Sequence, residues 1–188
     1  MTYSLTQSRY DFNQLDQHLQ QLKQIKKIAL VVEGGGMRSM FSAGVLDSFY
    51  ELEFDPFQLF LGVSAGCLNL ASHLAGQYLR NYRVMMFSAD CGRLVNPWNF
   101  LRGGHYIDLD WLFNECLESH PLNKKWALKY LQENNKEFIV VCTNVETGKA
   151  HYYYSNEKNF HEILIGSCCI PLLYRNPIYI YIYIYIYI

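Results

Sequence analysis

Two glycine-rich turns constrain this chain more than any other feature of its sequence. Each follows a short apolar run and precedes residues spaced with helical period. The first run, residues 28–32 (IALVV), leads into Glu33-Gly34-Gly35-Gly36-Met37-Arg38, after which Met37, Met40, Phe41, Val45 and Phe49 recur as on one helix face. The second, residues 57–63 (FQLFLGV), leads into Gly62-Val63-Ser64-Ala65-Gly66, followed by Cys67, Leu68, Ala71, Leu74, Ala75 and Tyr78 at helical spacing. Short runs of this kind are what strands buried in a parallel sheet require. Gly34 and Ser64 stand thirty positions apart, about one βαβ unit. A right-handed crossover therefore sets the C-terminal ends of the two strands, and both turns, on one side of a sheet.

The remaining elements continue the alternation. Residues 138–143 (FIVVCT) read as a third strand after a helix over 124–132, and Glu146-Thr147-Gly148 turns into a strand-like stretch at 150–154. Helical spacing resumes over 159–165, whereas 82–123 is less regular, with breakers at Asn96-Pro97 and Gly103-Gly104. That stretch is expected to be an insertion over the sheet edge, with one short helix beginning after Asp110. Phe12, Leu15, Leu19, Leu22 and Ile25 make residues 1–27 an amphipathic helix packed on the domain surface. The expected fold is a three-layer α/β domain over 28–177, a mostly parallel sheet with helices on both faces.

The turn around Ser64 fits G-x-S-x-G between a buried strand and a helix, the context of a nucleophile elbow. Small residues let the backbone turn sharply, and the N-terminus of the next helix favours developing negative charge. An alternative stays open at this point, because a serine before a helix also serves as an ordinary cap. Acyl transfer from serine further needs backbone N–H donors for the oxyanion, and glycines permit that approach. Gly35, Gly36 and Met37 are the candidate donors. Phosphate binding is disfavoured for the same loop: Ser39 stands where a dinucleotide fingerprint has its third glycine, no acidic residue ends the second strand, and a P-loop lysine is missing.

Composition narrows the partners. A formal net charge of -1 over 188 residues, with Lys and Arg spread along the chain, gives no electrostatic footprint for nucleic acid. The six cysteines form no C-x-x-C pair and have no His at ligand spacing, so neither a metal site nor another cofactor is expected. Cys67, Cys142, Cys168 and Cys169 lie in apolar runs as small buried hydrophobes, which suits a reducing compartment. The polar N-terminus lacks a signal-like apolar region and no span is of transmembrane length, so a cytoplasmic location is expected.

These residues resemble the patatin-like phospholipases. The resemblance rests on Glu33-Gly-Gly-Gly-Met-Arg38, Ala43-Gly-Val-Leu-Asp47, Gly62-Val-Ser-Ala-Gly66 and Gly76-Gln77. It continues in Gly103-Gly104 with Tyr106-Ile-Asp-Leu-Asp-Trp111, Thr143-Asn-Val-Glu-Thr-Gly148, and Ile170-Pro-Leu-Leu-Tyr174. It implies a serine-aspartate dyad acting on lipid or phospholipid esters, with Ser64 as nucleophile, the glycine-loop amides holding the oxyanion, and transient contact with a membrane surface. Gly34, Gly62 and Gly66 are supporting residues; Arg38 either orients an anionic head group or anchors the loop. No histidine has a role in such a dyad, and His73 is read as structural. Ser39 departs from the family, which usually has glycine there, and is expected to tighten the loop.

The resemblance also exposes a gap. The family's aspartate follows the Ile-Pro-Leu-Leu-Tyr stretch in an Asp-Gly-Gly or Asp-Gly-Ala motif, yet here no Asp occurs after Asp110 and residues 178–188 alternate Ile and Tyr. Asp108 and Asp110 read as helix caps rather than substitute bases. An uninterrupted TA dinucleotide tract translates as this alternation, so the tail is read as a slipped or out-of-frame continuation and the domain as incomplete at its C-terminus. A serine without a positioned base loses on the order of a hundredfold or more in reactivity. Three outcomes are therefore open: a weak or inactive acyl hydrolase, a non-catalytic acyl-binding module, or a product with no function of its own.

Overall fold

A computed structural model of the chain describes residues 27–174, 176 and 178–180. The helix expected before residue 27 and the Ile-Tyr repeat beyond residue 180 lie outside the described residues.

Four strands form one sheet in the order β1-β2-β3-β4. β1 (Ala29–Val32), β2 (Leu59–Val63) and β3 (Glu137–Thr143) run parallel, and β4 (Ala150–Tyr154) returns antiparallel to β3. Pairing of Val32 with Gly62, and of Val63 with Val141, ends the parallel ladders at one level, where both glycine-rich turns emerge. This is the mostly parallel α/β sheet that the sequence implies, with helices around it. β2 is two residues shorter than its apolar run, because Phe57 sits ahead of the ladder in an aromatic cluster with Phe49, Phe54 and Phe60.

Packing follows the alternation of each strand. Phe60, Phe138 and Val140 share one sheet face and are fully enclosed. Against that face pack α2 (Ala65–Leu74) and α6 (Phe160–Cys168), which contribute Leu70, Leu74, Ile163 and Leu164 to the core. Each such side chain stabilises the fold by roughly 1.5–3 kcal/mol on burial. α1 (Met40–Glu51), entered through a 3-10 turn at Gly36–Ser39, and α5 (Lys124–Glu133) pack against α2.

The region after residue 78 differs from its expectation. A full helix, α3 (Arg80–Cys91), packs on α1 and α2, followed by the short α4 (Pro97–Leu101) and a helical run through Leu109–Trp111, Leu112–Cys116 and Leu117–Ser119. The periodicity of α3 was hidden because its buried positions are polar: Arg80, Asn81 and Ser88. Among the described residues no helix is long and apolar enough to cross a membrane.

Candidate active site

Ser64 is the single residue between β2 and α2, and its backbone is strained. Its φ of 52° with ψ of -130° is a combination that side-chain-bearing residues seldom adopt. Although Ser64 occupies the cap position of α2, its side chain makes no capping hydrogen bond. The ordinary-cap reading of this serine therefore does not hold, and among the described residues its hydroxyl has no hydrogen-bond partner.

The flanking glycines support this conformation by close approach rather than by bending. A Cβ at Gly62 would lie 2.6 Å from the Cys67 Cα, and one at Gly66 would lie 2.4 Å from Val32 O and 2.5 Å from Glu33 O. Gly34 is held equally close to Ser64, its absent side chain falling 2.8 Å from Ser64 Cβ and 3.5 Å from Oγ. The strand end, the glycine loop and the elbow are thus one tightly packed unit.

Within the loop, Gly36 has φ +53°, and Arg38 N–H closes the turn on Gly35 O at 3.1 Å. The N–H groups of Gly34, Gly35, Gly36 and Met37 donate to no backbone carbonyl among the described residues. Gly36 and Met37 line the same cavity as Ser64, whereas Gly35 and Arg38 do not, and Arg38 is exposed. Ser39 is buried; its hydroxyl donates to Gly36 O at 2.7 Å, and Asn69 Nδ2 donates to Ser39 O at 2.8 Å. Asn69, on α2, thereby ties the glycine loop to the elbow helix.

The sequence reading missed Ser167. The Ser64 N–H donates to Ser167 Oγ at 2.7 Å, and that hydroxyl donates onward to Val141 O at 2.6 Å. The available signal was one polar residue between the helical spacing of 159–165 and the matched stretch at 170–174.

The cavity headed by Ser64 has a volume of about 760 Å³. Its wall is mainly apolar, with Leu68, Val84, Leu112, Phe113, Phe160 and Leu164 among its members. The buried polar residues on that wall are hydrogen-bonded within the protein. Arg80 donates to Ser72 Oγ at 2.8 Å and to His120 O at 2.8 and 3.1 Å, Asn81 to Asn69 O at 3.2 Å, and Ser88 to Val84 O at 2.7 Å. With these groups satisfied, the cavity presents a mainly apolar wall.

Neither candidate substitute base is bound to Ser64. Asp108 caps the 109–119 run by accepting from Trp111 N–H at 2.9 Å. Asp110 accepts from Tyr174 OH at 2.7 Å and faces His105 at 3.6 Å. Burial, followed by that hydrogen bond, pushes the Tyr174 hydroxyl up to about 12. The Tyr106 and Ile107 amides bond to Leu173 O at 2.8 and 3.2 Å, so two of the stretches that carried the resemblance are physically docked on each other. His73 lies on the far part of α2 near the Phe60 ring, and burial lowers its pKa.

Three of the four cysteines in apolar runs are core residues, and the fourth, Cys169, is half-buried. Cys67, Cys142 and Cys168 are buried, and burial pushes the Cys142 and Cys169 thiols up to about 12. Cys67 Sγ donates to Ser64 O at 2.8 Å, bracing the elbow from below.

The mostly parallel sheet with helices around it defines an α/β protein. The chain belongs to the patatin-like phospholipase family, whose model matches residues 30–186. It is similar to YjjU of Escherichia coli strain K12, itself an uncharacterized protein, with 36% identity over 150 residues covering 80% of this chain and 42% of YjjU. The chain thus spans less than half the length of that relative. No solved structure matches it.

Proposed function

We propose that this chain carries the nucleophile and oxyanion half of a serine acyl hydrolase acting on lipid esters. The observation that carries the reading is Ser64 itself, held at φ 52° with a hydroxyl that does not cap its helix, at the head of a largely apolar cavity. Ser64 Oγ attacks the ester carbonyl, and the amides of Gly36 and Met37, which line the cavity, receive the oxyanion as the acyl chain lies along it; Gly35, outside the lining, supports the loop. Gly34, Gly62 and Gly66 admit the close backbone packing, and Arg38, exposed beside the loop, meets an anionic head group or anchors the loop. Because no described carboxylate hydrogen-bonds Ser64, the chain by itself reacts slowly.

A fluorophosphonate probe and an aryl ester, applied to the purified chain and to Ser64→Ala, test this. Slow labelling confined to Ser64, with little ester turnover, is expected. Absence of any labelling at Ser64 would refute the nucleophile assignment, and rapid turnover would refute the missing-base argument.

The same cavity supports a second reading, a non-catalytic acyl-binding module. It predicts saturable displacement of a fluorescent fatty acid from the folded chain whether or not Ser64 reacts.

A further inference from the structure

The phase of the β2-β3 ladder locates a hydrogen bond that is missing from it. Glu137 N–H donates to Gln58 O at 2.9 Å, and register runs without a break from Leu59 with Glu137 to Val63 with Val141. In a parallel ladder with this phase, the β2 donors facing β3 fall on Phe60, Gly62 and Ser64, and their acceptors on Glu137, Ile139 and Val141. The next rung is therefore Ser64 N–H to Val141 O. In its place stands a side chain: Ser64 N–H reaches Ser167 Oγ at 2.7 Å, and Ser167 Oγ reaches Val141 O at 2.6 Å.

We infer that Ser167 is a positioning residue whose hydroxyl, inserted as a rung between β2 and β3, splays the two strands at the nucleophile and sustains the strained turn of Ser64. This deepens the hydrolase reading and rests on it for its catalytic consequence. The hydroxyl is the smallest group that can accept from one strand and donate to the other at once, so it satisfies both backbone groups while keeping them apart. Without it, Ser64 N–H and Val141 O are either left unpaired or drawn together as an ordinary rung. Drawing them together pulls Ser64 toward strand geometry and away from the glycine loop. With its N–H engaged by Ser167, Ser64 also does not offer that amide to the oxyanion, which leaves the glycine-loop donors for that role. Ser167 comes from the last turn of α6, so the end of that helix is coupled directly to the nucleophile.

Three variants separate this role from plain packing: Ser167→Ala, Ser167→Thr, which keeps the hydroxyl, and Ser167→Val, which has the shape of threonine without it. Two readouts are taken at matched folded fraction: the rate of fluorophosphonate labelling at Ser64, and the Ser64 amide, Cα and Cβ chemical shifts in isotope-labelled chain. Labelling is expected to slow on the order of tenfold to a hundredfold in the Ala and Val variants, the effect of a displacement of about 1 Å, and to recover to within a few-fold in the Thr variant. The Ser64 shifts should move together in Ala and Val and return toward the parent values in Thr. Equal behaviour of Thr and Val in both readouts would overturn the inference. If the parent chain does not label at all, the hydrolase reading fails for this chain, and the chemical shifts alone still decide the rung.

Discussion

Substituting Gly66 by alanine probes the packing that joins the elbow to the glycine loop. The new Cβ would stand 2.4 Å from Val32 O, 2.5 Å from Glu33 O and 2.9 Å from Glu33 C, all backbone atoms that cannot swing aside. Ordinary contact requires about 1 Å more, so the first turn of α2 must back away from the end of β1 by that amount. Overpacking of this kind costs about 1–3 kcal/mol, offset by less than about 1 kcal/mol of gain in helix propensity at a first-turn position. A net loss of about 2 kcal/mol lowers the melting temperature of a chain this size by about 4–8 °C. Gly44→Ala on α1 is the matched control, since nothing lies within 4 Å of its Cβ, and it should gain about 0.5–1 kcal/mol. Thermal melts followed by circular dichroism, together with the labelling rate at Ser64, measure both variants. On the proposed hydrolase reading, Gly66→Ala should also label about a hundredfold more slowly, because Ser64 moves relative to the glycine-loop amides. A Gly66→Ala protein that melts with Gly44→Ala and labels at the parent rate would refute the close-packing argument.

Three further outcomes follow from the geometry. Asn69→Ala removes the buried donor to Ser39 O and to Ser42 Oγ, and should cost about 1–3 kcal/mol in urea unfolding while slowing Ser64 labelling. Burial lowers the pKa of His73 below the ordinary 6.5, so its stability contribution is complete above pH 6.5 and is lost as pH falls toward the lowered folded value. The melting temperature should therefore decline from pH 7 to pH 5, and less steeply in His73→Asn. Among the described cysteines, exposed Cys91 should react with a thiol reagent in the native state, whereas Cys67 and Cys142 react only on unfolding. Mass mapping of the modified residues distinguishes them.

The parallel strands and the two turns were legible because each buried run is continuous and each turn breaks at glycine. α3 was not, since burying Arg80, Asn81 and Ser88 inverts the usual pattern of apolar spacing. Asp108 was legible as a cap from its place before an apolar run, and it accepts from Trp111 N–H as that reading requires; Asp110, read the same way, lies inside the helix, which begins at Leu109, and accepts from Tyr174 OH instead. The expected insertion concealed α3, whose buried positions make hydrogen bonds, and a following helical run that buries Leu109, Trp111, Leu112 and Phe113 in the core. Gly62 and Gly66 were noted as small residues that let the chain turn, whereas the structure shows them at points of close backbone approach. Close approach, unlike chain reversal, depends on which backbone lies opposite, and that is known only once Gly66 meets the end of β1.

That a serine stands between a buried strand and a helix, one crossover unit after a glycine loop, is legible in the amino-acid order alone. Local periodicity and glycine placement are properties of neighbouring residues, so they survive without knowledge of the fold. The contact made by the Ser64 amide emerges only from the folded arrangement. The Ser167 hydroxyl reaches it across 103 positions of chain. Which side chain meets the Ser64 amide and Val141 O depends on how α6 docks, and no pattern within the α6 segment reports the partner that its last turn meets.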